Sequence, residues 1–113
     1  MKKQDELNLK FYKKIGPFNE IGYILDSSNA LGEYKKLNFI QVLPKIVIID
    51  LINTINLIQN NQPYDLDFLN SAVEFSVFDV VFSSPYFSID GYQTIHLNDF
   101  KILLQEWLSF RNL

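Results

Sequence analysis

The single histidine of the chain, His96, is the side chain best suited to general acid–base chemistry, because imidazole titrates near neutral pH. With a serine and an aspartate it could form a hydrolytic triad, which is defined by geometry and not by chain order. No serine lies in a Gly-x-Ser-x-Gly turn, and Ser83-Ser84-Pro85 has the composition of a strand end. The favoured interpretation of His96 is a strand histidine next to a helix start, and a small enzyme using it is the alternative.

Two carboxylates stand close together at Asp65 and Asp67 and could share a hard cation such as Ca²⁺. The further oxygen ligands, central glycine and terminal glutamate of a calcium loop do not follow them. The chain also has no cysteine, which excludes thiolate zinc sites and disulfides. The sequence therefore predicts neither a metal nor a cofactor.

The segment 10–14, Lys-Phe-Tyr-Lys-Lys, interleaves lysines with aromatic rings, as proteins that bind single-stranded nucleic acid do. A sequence pI of about 5.0 opposes that function, since nucleic-acid-binding domains present a dominant basic face. The four glycines lie far apart, and none opens a phosphate-binding loop. We therefore expect no nucleic-acid partner, and interpret the segment as a strand edge protected by lysine.

Charge is divided along the chain. Residues 1–45 contain eight lysines and five acids, a net charge of +3, whereas residues 46–113 contain two basic residues and eight acids, a net charge of −6. A surface built from the second part would attract a cationic partner, and tyrosines near the acids are favoured interface anchors. The alternative is ordinary solvated acids beside core aromatics. The predicted partner-binding residues are Tyr64, Asp65, Asp67, Asp79, Tyr86, Asp90 and Tyr92.

Length and composition are typical of one globular domain. With 113 residues, 48% of them hydrophobic and 15% aromatic, the chain can bury a core. No repeat, low-complexity tract or linker divides it, so we predict a single domain over 1–113. The N-terminus lacks the apolar region of a signal peptide, and no stretch reaches the ~18 apolar residues of a membrane span. A cytoplasmic location without membrane contact is expected.

The N-terminal half predicts three strands and a helix. Apolar and polar residues alternate within 5–15, which favours a short strand ending at Gly16-Pro17. Residues 21–25 and 37–43 are apolar enough for two further strands. Apolar side chains then recur at helical spacing over 44–60, which predicts a helix, although the β-branched run 46–49 would also fit a buried strand.

The C-terminal half predicts a strand, a hairpin and a helix. Aromatic and β-branched residues over 75–82 favour the strand, and Asp90-Gly91 supplies the turn of the hairpin, which would pair Ile89 with Tyr92 and Phe87 with Thr94. Asn98 is a suitable N-cap for an amphipathic helix over about 98–110. This order of elements predicts an α+β fold in which the two main helices, 44–60 and 98–110, pack on a mostly antiparallel sheet.

The stretch from Phe78 through Asp90-Gly91-Tyr92 to Trp107, in a small acidic chain without a catalytic motif, resembles bacterial toxin-immunity proteins, in particular those of contact-dependent growth inhibition systems. The resemblance is one of general character and covers the C-terminal half. It implies a cytosolic, non-enzymatic protein that blocks one cognate toxin domain, often a nuclease with a basic cleft. A self-associating structural or adaptor subunit, using the apolar face of the 98–110 helix, is the alternative from the residues alone.

Overall fold

The computed structural model describes residues 2–65 and 80–111. Its elements are α1 (Lys3–Glu6), β1 (Lys10–Ile15), β2 (Ile21–Asp26), a 3-10 helix (Gly32–Val42), α2 (Lys45–Gln59), β3 (Val80–Ser83), β4 (Tyr86–Ile89), β5 (Tyr92–His96) and α3 (Leu97–Arg111). Within the described ranges the strands form two antiparallel sheets, β1–β2 and β3–β4–β5. The predicted α+β class is confirmed, with the strands divided between two sheets instead of joined in one.

Both main helices lie where helical spacing predicted them. In α2 the buried side chains are Val47, Ile48, Leu51, Thr54 and Ile55, and in α3 they are Leu97, Phe100, Leu103, Leu104 and Trp107. The two helices are also joined by Lys101 on α3, whose Nζ donates to Asn56 Oδ1 at 3.2 Å and Gln59 Oε1 at 3.0 Å on α2. Because the apolar face of α3 is buried inside the chain, that face is not available for self-association.

The core is centred on a group of phenylalanine rings that joins four elements. The ring of Phe87 on β4 stacks on Phe100 of α3 at 4.5 Å between centroids and meets Phe82 of β3 edge-on at 5.2 Å. Phe39 of the 3-10 helix stacks on the same ring at 6.2 Å. Phe87 is therefore one of the side chains that attach the three-stranded sheet to α3 and to the 3-10 helix.

The strand predicted over Leu37–Leu43 is wrong, because this segment lies in the 3-10 helix. Leu37 and Ile40 are fully buried and three residues apart, which is the repeat of a 3-10 helix. The helix also lies along the outer edge of β2, where Gln41 Oε1 accepts the backbone N–H of Leu25 at 2.9 Å. This hydrogen bond pairs a backbone amide at the edge of β2, a position where another strand could otherwise add to the sheet.

The strand predicted over 5–15 is only partly confirmed, since its first residues form α1 and the strand begins at Lys10. A carboxylate from the other end of the chain explains the helical turn. Glu106 accepts the backbone N–H groups of Lys3 and Gln4, at 2.7 and 2.9 Å. These amides have no partner within the first turn of a helix, so a distant residue stabilises α1.

The β4–β5 hairpin forms around Asp90-Gly91 as predicted, and Ile89 pairs with Tyr92. The next predicted pair is wrong, since Phe87 faces Ile95 and not Thr94, because a register shift intervenes between Phe87 and Ser88. The Thr94 hydroxyl accepts the Ile89 N–H and donates to the Tyr92 carbonyl, each at 3.1 Å. The predicted strand 75–82 is observed from Val80 onward, and its first residues, 75–79, lie outside the described residues.

Candidate functional site

The β4–β5 turn presents two of the predicted partner-binding residues, Asp90 and Tyr92, at one end of the three-stranded sheet. Asp90 and Gly91 have φ angles of 55° and 84°, as in a type I′ turn. Tyr92 is 59% exposed and Asp90 is also exposed. The hairpin thus holds a carboxylate and an aromatic ring at the surface on a defined turn.

A cation of the 3-10 helix lies against this turn. The Nζ atom of Lys36 is 4.5 Å from the centroid of the Tyr92 ring and 2.9 Å from Glu33 Oε2. The carboxylate of Glu33 raises the pKa of Lys36 above its ordinary value, with a smaller contribution from Asp90. The surface around Asp90 and Tyr92 therefore combines a carboxylate, a ring and a cation, and is less uniformly acidic than its sequence suggests.

Tyr86 lies apart from this pair. It stands at the opposite end of β4, about 13 Å from Asp90 at ~3.3 Å per strand residue. Its half-buried ring meets the His96 imidazole edge-on, with 5.7 Å between centroids. Tyr86 therefore belongs to the junction of β5 with α3, and a contact that uses Tyr86 and Tyr92 together must cover the length of the hairpin.

The remaining predicted residues follow α2. Tyr64 is 45% exposed, and Asp65 beside it is exposed as well. Asp67 and Asp79 lie outside the described residues. Of the seven side chains predicted to bind a partner, the structure thus places Asp90 and Tyr92 together, Tyr64 and Asp65 together, and Tyr86 at a third position.

His96 is exposed at the end of β5 and caps α3. Its Nδ1 atom accepts the backbone N–H of Asn98 at 3.1 Å, so His96 performs the capping role that the sequence assigned to Asn98. The helix starts at Leu97, one residue earlier than predicted. Acceptance at Nδ1 requires that this nitrogen carries no proton, which fixes the tautomer of the neutral ring.

Replacing His96 with Ala is expected to lower the free energy of unfolding by about 0.5–1 kcal/mol, the usual cost of losing an N-cap acceptor. His96→Asn is the matched control, because an amide oxygen can accept the same backbone N–H. Urea unfolding followed by circular dichroism measures both variants. Equal losses for Ala and Asn would show that the imidazole does not act as a cap.

Some of the acidic residues after position 45 pair with the basic N-terminal part of the chain within the fold. Lys3 Nζ pairs with Asp99 Oδ1 at 3.0 Å and with Glu6, and these hydrogen bonds raise the pKa of Lys3 to about 12. Together with the bonds from Glu106 to the backbone of α1, they attach the N-terminal turn to α3. Two of the acids after residue 45 therefore bind the chain's own N-terminus, a pairing that no local sequence signal indicates.

The most exposed aromatic side chain among the described residues, Phe18, was missed by sequence reasoning and lies on the β1–β2 hairpin. Phe18 at its tip is 90% exposed, and the neighbouring Ile15 and Ile21 are 71% and 55% exposed. The Gly16-Pro17 pair predicted the turn that carries them. No feature of the sequence indicated that the aromatic residue after this turn would face solvent.

A groove of about 300 Å³ lies between α1, β1 and α3, bounded by Gln4, Phe11 and Phe110 among others. Its one carboxylate, Glu106, is already bonded to the amides of α1. Over residues 2–65 and 80–111, no three His, Asp or Glu side chains are grouped so that they could hold a metal ion. Within the same ranges no helix has the length and apolar character needed to cross a membrane.

Compared with protein-family models, with curated proteins and with solved structures, the chain matches none. The function must therefore be inferred from the chemistry of the surfaces described above.

Proposed function

We propose that this protein is a non-catalytic, cytoplasmic binding module that neutralises a cognate toxin domain by stoichiometric contact, as bacterial immunity proteins do. The exposure of Tyr92 next to Asp90 is the observation that carries the proposal. A tyrosine on a defined turn buries a large area on binding and loses little entropy, because it has two side-chain torsions.

The partner's chemistry follows from the acids beside the tyrosines. Asp90 accompanies Tyr92, and Asp65 accompanies Tyr64, in the part of the chain that has a net charge of −6. A partner with a basic surface, such as the cleft of a nuclease, is the complement of such carboxylates. Electrostatic complementarity of this kind acts mainly on the association rate.

The first step of the test is to capture the tagged protein with its partner from its native cells. The expected result is one cationic protein in equimolar amount, whose production is harmful to cells unless this protein is produced with it. A partner that is harmless when produced alone would contradict the immunity function, even if it binds.

The second step measures association with that purified partner at low ionic strength. We expect the double variant Asp65→Asn/Asp90→Asn to associate several-fold more slowly, because it removes two carboxylates that attract the basic surface. Asn at position 90 preserves the turn, since Asn-Gly favours the same type I′ geometry. The control is Asp5→Asn, which neutralises another exposed acid, on α1. Equal association rates for the double variant and the wild type would contradict the proposed surface.

A further inference from the structure

Among residues 2–65 and 80–111, the β1–β2 hairpin contacts the rest of the fold at one end only. Its register places Phe11, Lys13 and Ile15 on one face, opposite Leu25, Tyr23 and Ile21. At the inner end the ring of Phe11 meets that of Trp107 at 5.0 Å, and Tyr23 meets Phe110 at 5.9 Å. At the outer end the pair of isoleucines and Phe18 are exposed. The apolar face of the hairpin thus continues past the part that α3 covers.

The tip that carries Phe18 is held by its own hydrogen bonds. The Gly16 N–H donates to the Glu20 carbonyl at 2.8 Å, and the Asn19 N–H donates to the Gly16 carbonyl at 3.1 Å. Asn19 has a φ of 63°, a left-handed conformation that asparagine tolerates. The Glu20 carboxylate folds back and accepts the Phe18 N–H at 2.9 Å. Phe18 is therefore presented on an ordered turn.

Gly16 makes this arrangement sterically feasible. A Cβ atom at this position would lie 1.8 Å from Glu20 Oε1, so the carboxylate occupies the space that a side chain would fill. Phe18 itself contributes little to the core, since it is 90% exposed. The bonds of the turn therefore order an aromatic side chain that contributes little buried area to the fold.

Two cations lie on β1 next to the apolar tip. Lys13 and Lys14 immediately precede Ile15 and are exposed, and Lys10 is exposed at the inner end of the same strand. The two acids of the hairpin are turned toward backbone amides, Glu20 to Phe18 and Asp26 to Ser28 at 2.8 Å. With three lysines against these two acids, residues 10–26 carry a net charge of +1, whereas residues 46–113 carry −6.

We propose that the β1–β2 hairpin is a second docking surface, on which Phe18 inserts into an apolar pocket bordered by carboxylates on another protein. Ile15 and Ile21 would cover the rim of that pocket, and the lysines of β1 would pair with its acids. An exposed aromatic anchor on a preordered turn loses little conformational freedom on binding. This surface belongs to the other sheet and does not depend on the toxin-binding function proposed above.

A protein pocket fits these features better than a lipid bilayer or a second copy of the chain. The net charge of −3 for the whole protein opposes adsorption to anionic lipid. A second copy would have to offer an apolar pocket bordered by carboxylates, and the groove between α1, β1 and α3 has one carboxylate, Glu106, which is bonded to the amides of α1.

The test begins with a photoreactive benzoylphenylalanine in place of Phe18 in the full-length protein, produced in its native cells. The expected result is one crosslinked protein, absent when the same group replaces Leu31, which is 72% exposed between β2 and the 3-10 helix. The same adducts from both positions, or none from position 18, would overturn the proposal.

The crosslinked protein is then purified and titrated with four versions of this chain. Relative to the wild type, Phe18→Ala is expected to weaken binding by about 30-fold or more, the size of a hot-spot loss. Lys13→Glu/Lys14→Glu is expected to slow association and to reduce its salt dependence. Gly16→Ala displaces the Glu20 carboxylate from the turn. It retains the Phe18 side chain but removes part of the order of the turn, so it should weaken binding. Equal affinity of Phe18→Ala and the wild type would overturn the proposal.

Two further measurements test whether a second copy of the chain or a lipid bilayer binds the hairpin tip instead. Sedimentation equilibrium of the wild type and Phe18→Ala tests for a second copy, and co-sedimentation with phosphatidylcholine–phosphatidylglycerol vesicles tests for lipid. We expect no dependence on Phe18 in either. Self-association or vesicle binding that Phe18→Ala abolishes would overturn the protein-pocket proposal. None of these results affects the association measurement with Asp65→Asn/Asp90→Asn, so this proposal and the toxin-binding proposal can fail independently.

Discussion

Replacing Trp107 with Ala is expected to lower the free energy of unfolding by about 3–5 kcal/mol, enough to unfold a large fraction of the protein at 37 °C. The indole is completely buried on α3 and meets the rings of Phe11 at 5.0 Å and Phe110 at 5.7 Å. Together with Phe110, which meets Tyr23 at 5.9 Å, it holds the inner end of the β1–β2 hairpin against α3. Its truncation would therefore leave a cavity and also weaken the attachment of the hairpin.

Two control variants separate this loss from a general effect of substitution. Trp107→Phe keeps a ring in place and removes Nε1, which has no hydrogen-bond partner among the described residues, so a clearly smaller loss is expected. Phe18→Ala removes an aromatic side chain that is 90% exposed, and should stay within about 0.5 kcal/mol of the wild type. Urea unfolding followed by circular dichroism measures all three variants. A loss for Trp107→Ala below that for Trp107→Phe would contradict the packing described here.

The elements predicted correctly are those whose signals are local. The helix predicted over 44–60 is observed as Lys45–Gln59, because several turns of apolar side chains at helical spacing leave few alternatives. The Asp90-Gly91 turn was predicted from two residues, since both must adopt positive φ and few other pairs do so readily. In each case the residues that determine the structure are within a few positions of one another.

The errors arise where the determinant lies elsewhere in the chain. The helical turn of α1 is stabilised by Glu106, about a hundred residues away, and alternation of nearby residues cannot indicate that carboxylate. Residues 37–43 were predicted as a strand because their short apolar run fits both structures, whereas residues 37–42 belong to the 3-10 helix. Its contact with the edge of β2 through Gln41 depends on how the sheet sits in the fold.

The candidate binding surfaces also combine features that neighbouring residues determine with features that only the fold determines. The sequence placed Asp90 and Tyr92 on one turn because they are neighbours, whereas Tyr86 was grouped with them although the length of β4 separates it from that turn. The approach of Lys36 to Tyr92 and the exposure of Phe18 depend on which faces the core leaves uncovered. Composition predicts how much apolar surface a chain can bury, but does not identify the side chains that remain outside.

Replacing Phe87 with Ala is expected to cost about 3–5 kcal/mol of unfolding free energy, because its fully buried ring joins β4 to three other elements. Tyr92→Ala, on the same hairpin but 59% exposed, is the control and should be nearly neutral. Chemical denaturation of both variants, followed by circular dichroism, gives the comparison. Similar losses for the two variants would indicate that the hairpin is not anchored by its inner face.

A double-mutant cycle tests whether the stacked contact itself contributes. The ring centroids of Phe87 and Phe100 lie 4.5 Å apart at an interplanar angle of 29°, so Phe87→Leu and Phe100→Leu should show a coupling energy of about 0.5–1.5 kcal/mol. The cycle of Phe87 with Phe39, whose centroid is 6.2 Å away, should give a smaller coupling. Additive losses for Phe87 and Phe100 would mean that the rings contribute only through the area they bury. The hairpin that carries Asp90 and Tyr92 would then be held to α3 by the apolar area that Phe87 buries. The ring–ring contact of Phe87 with Phe100 would add nothing further.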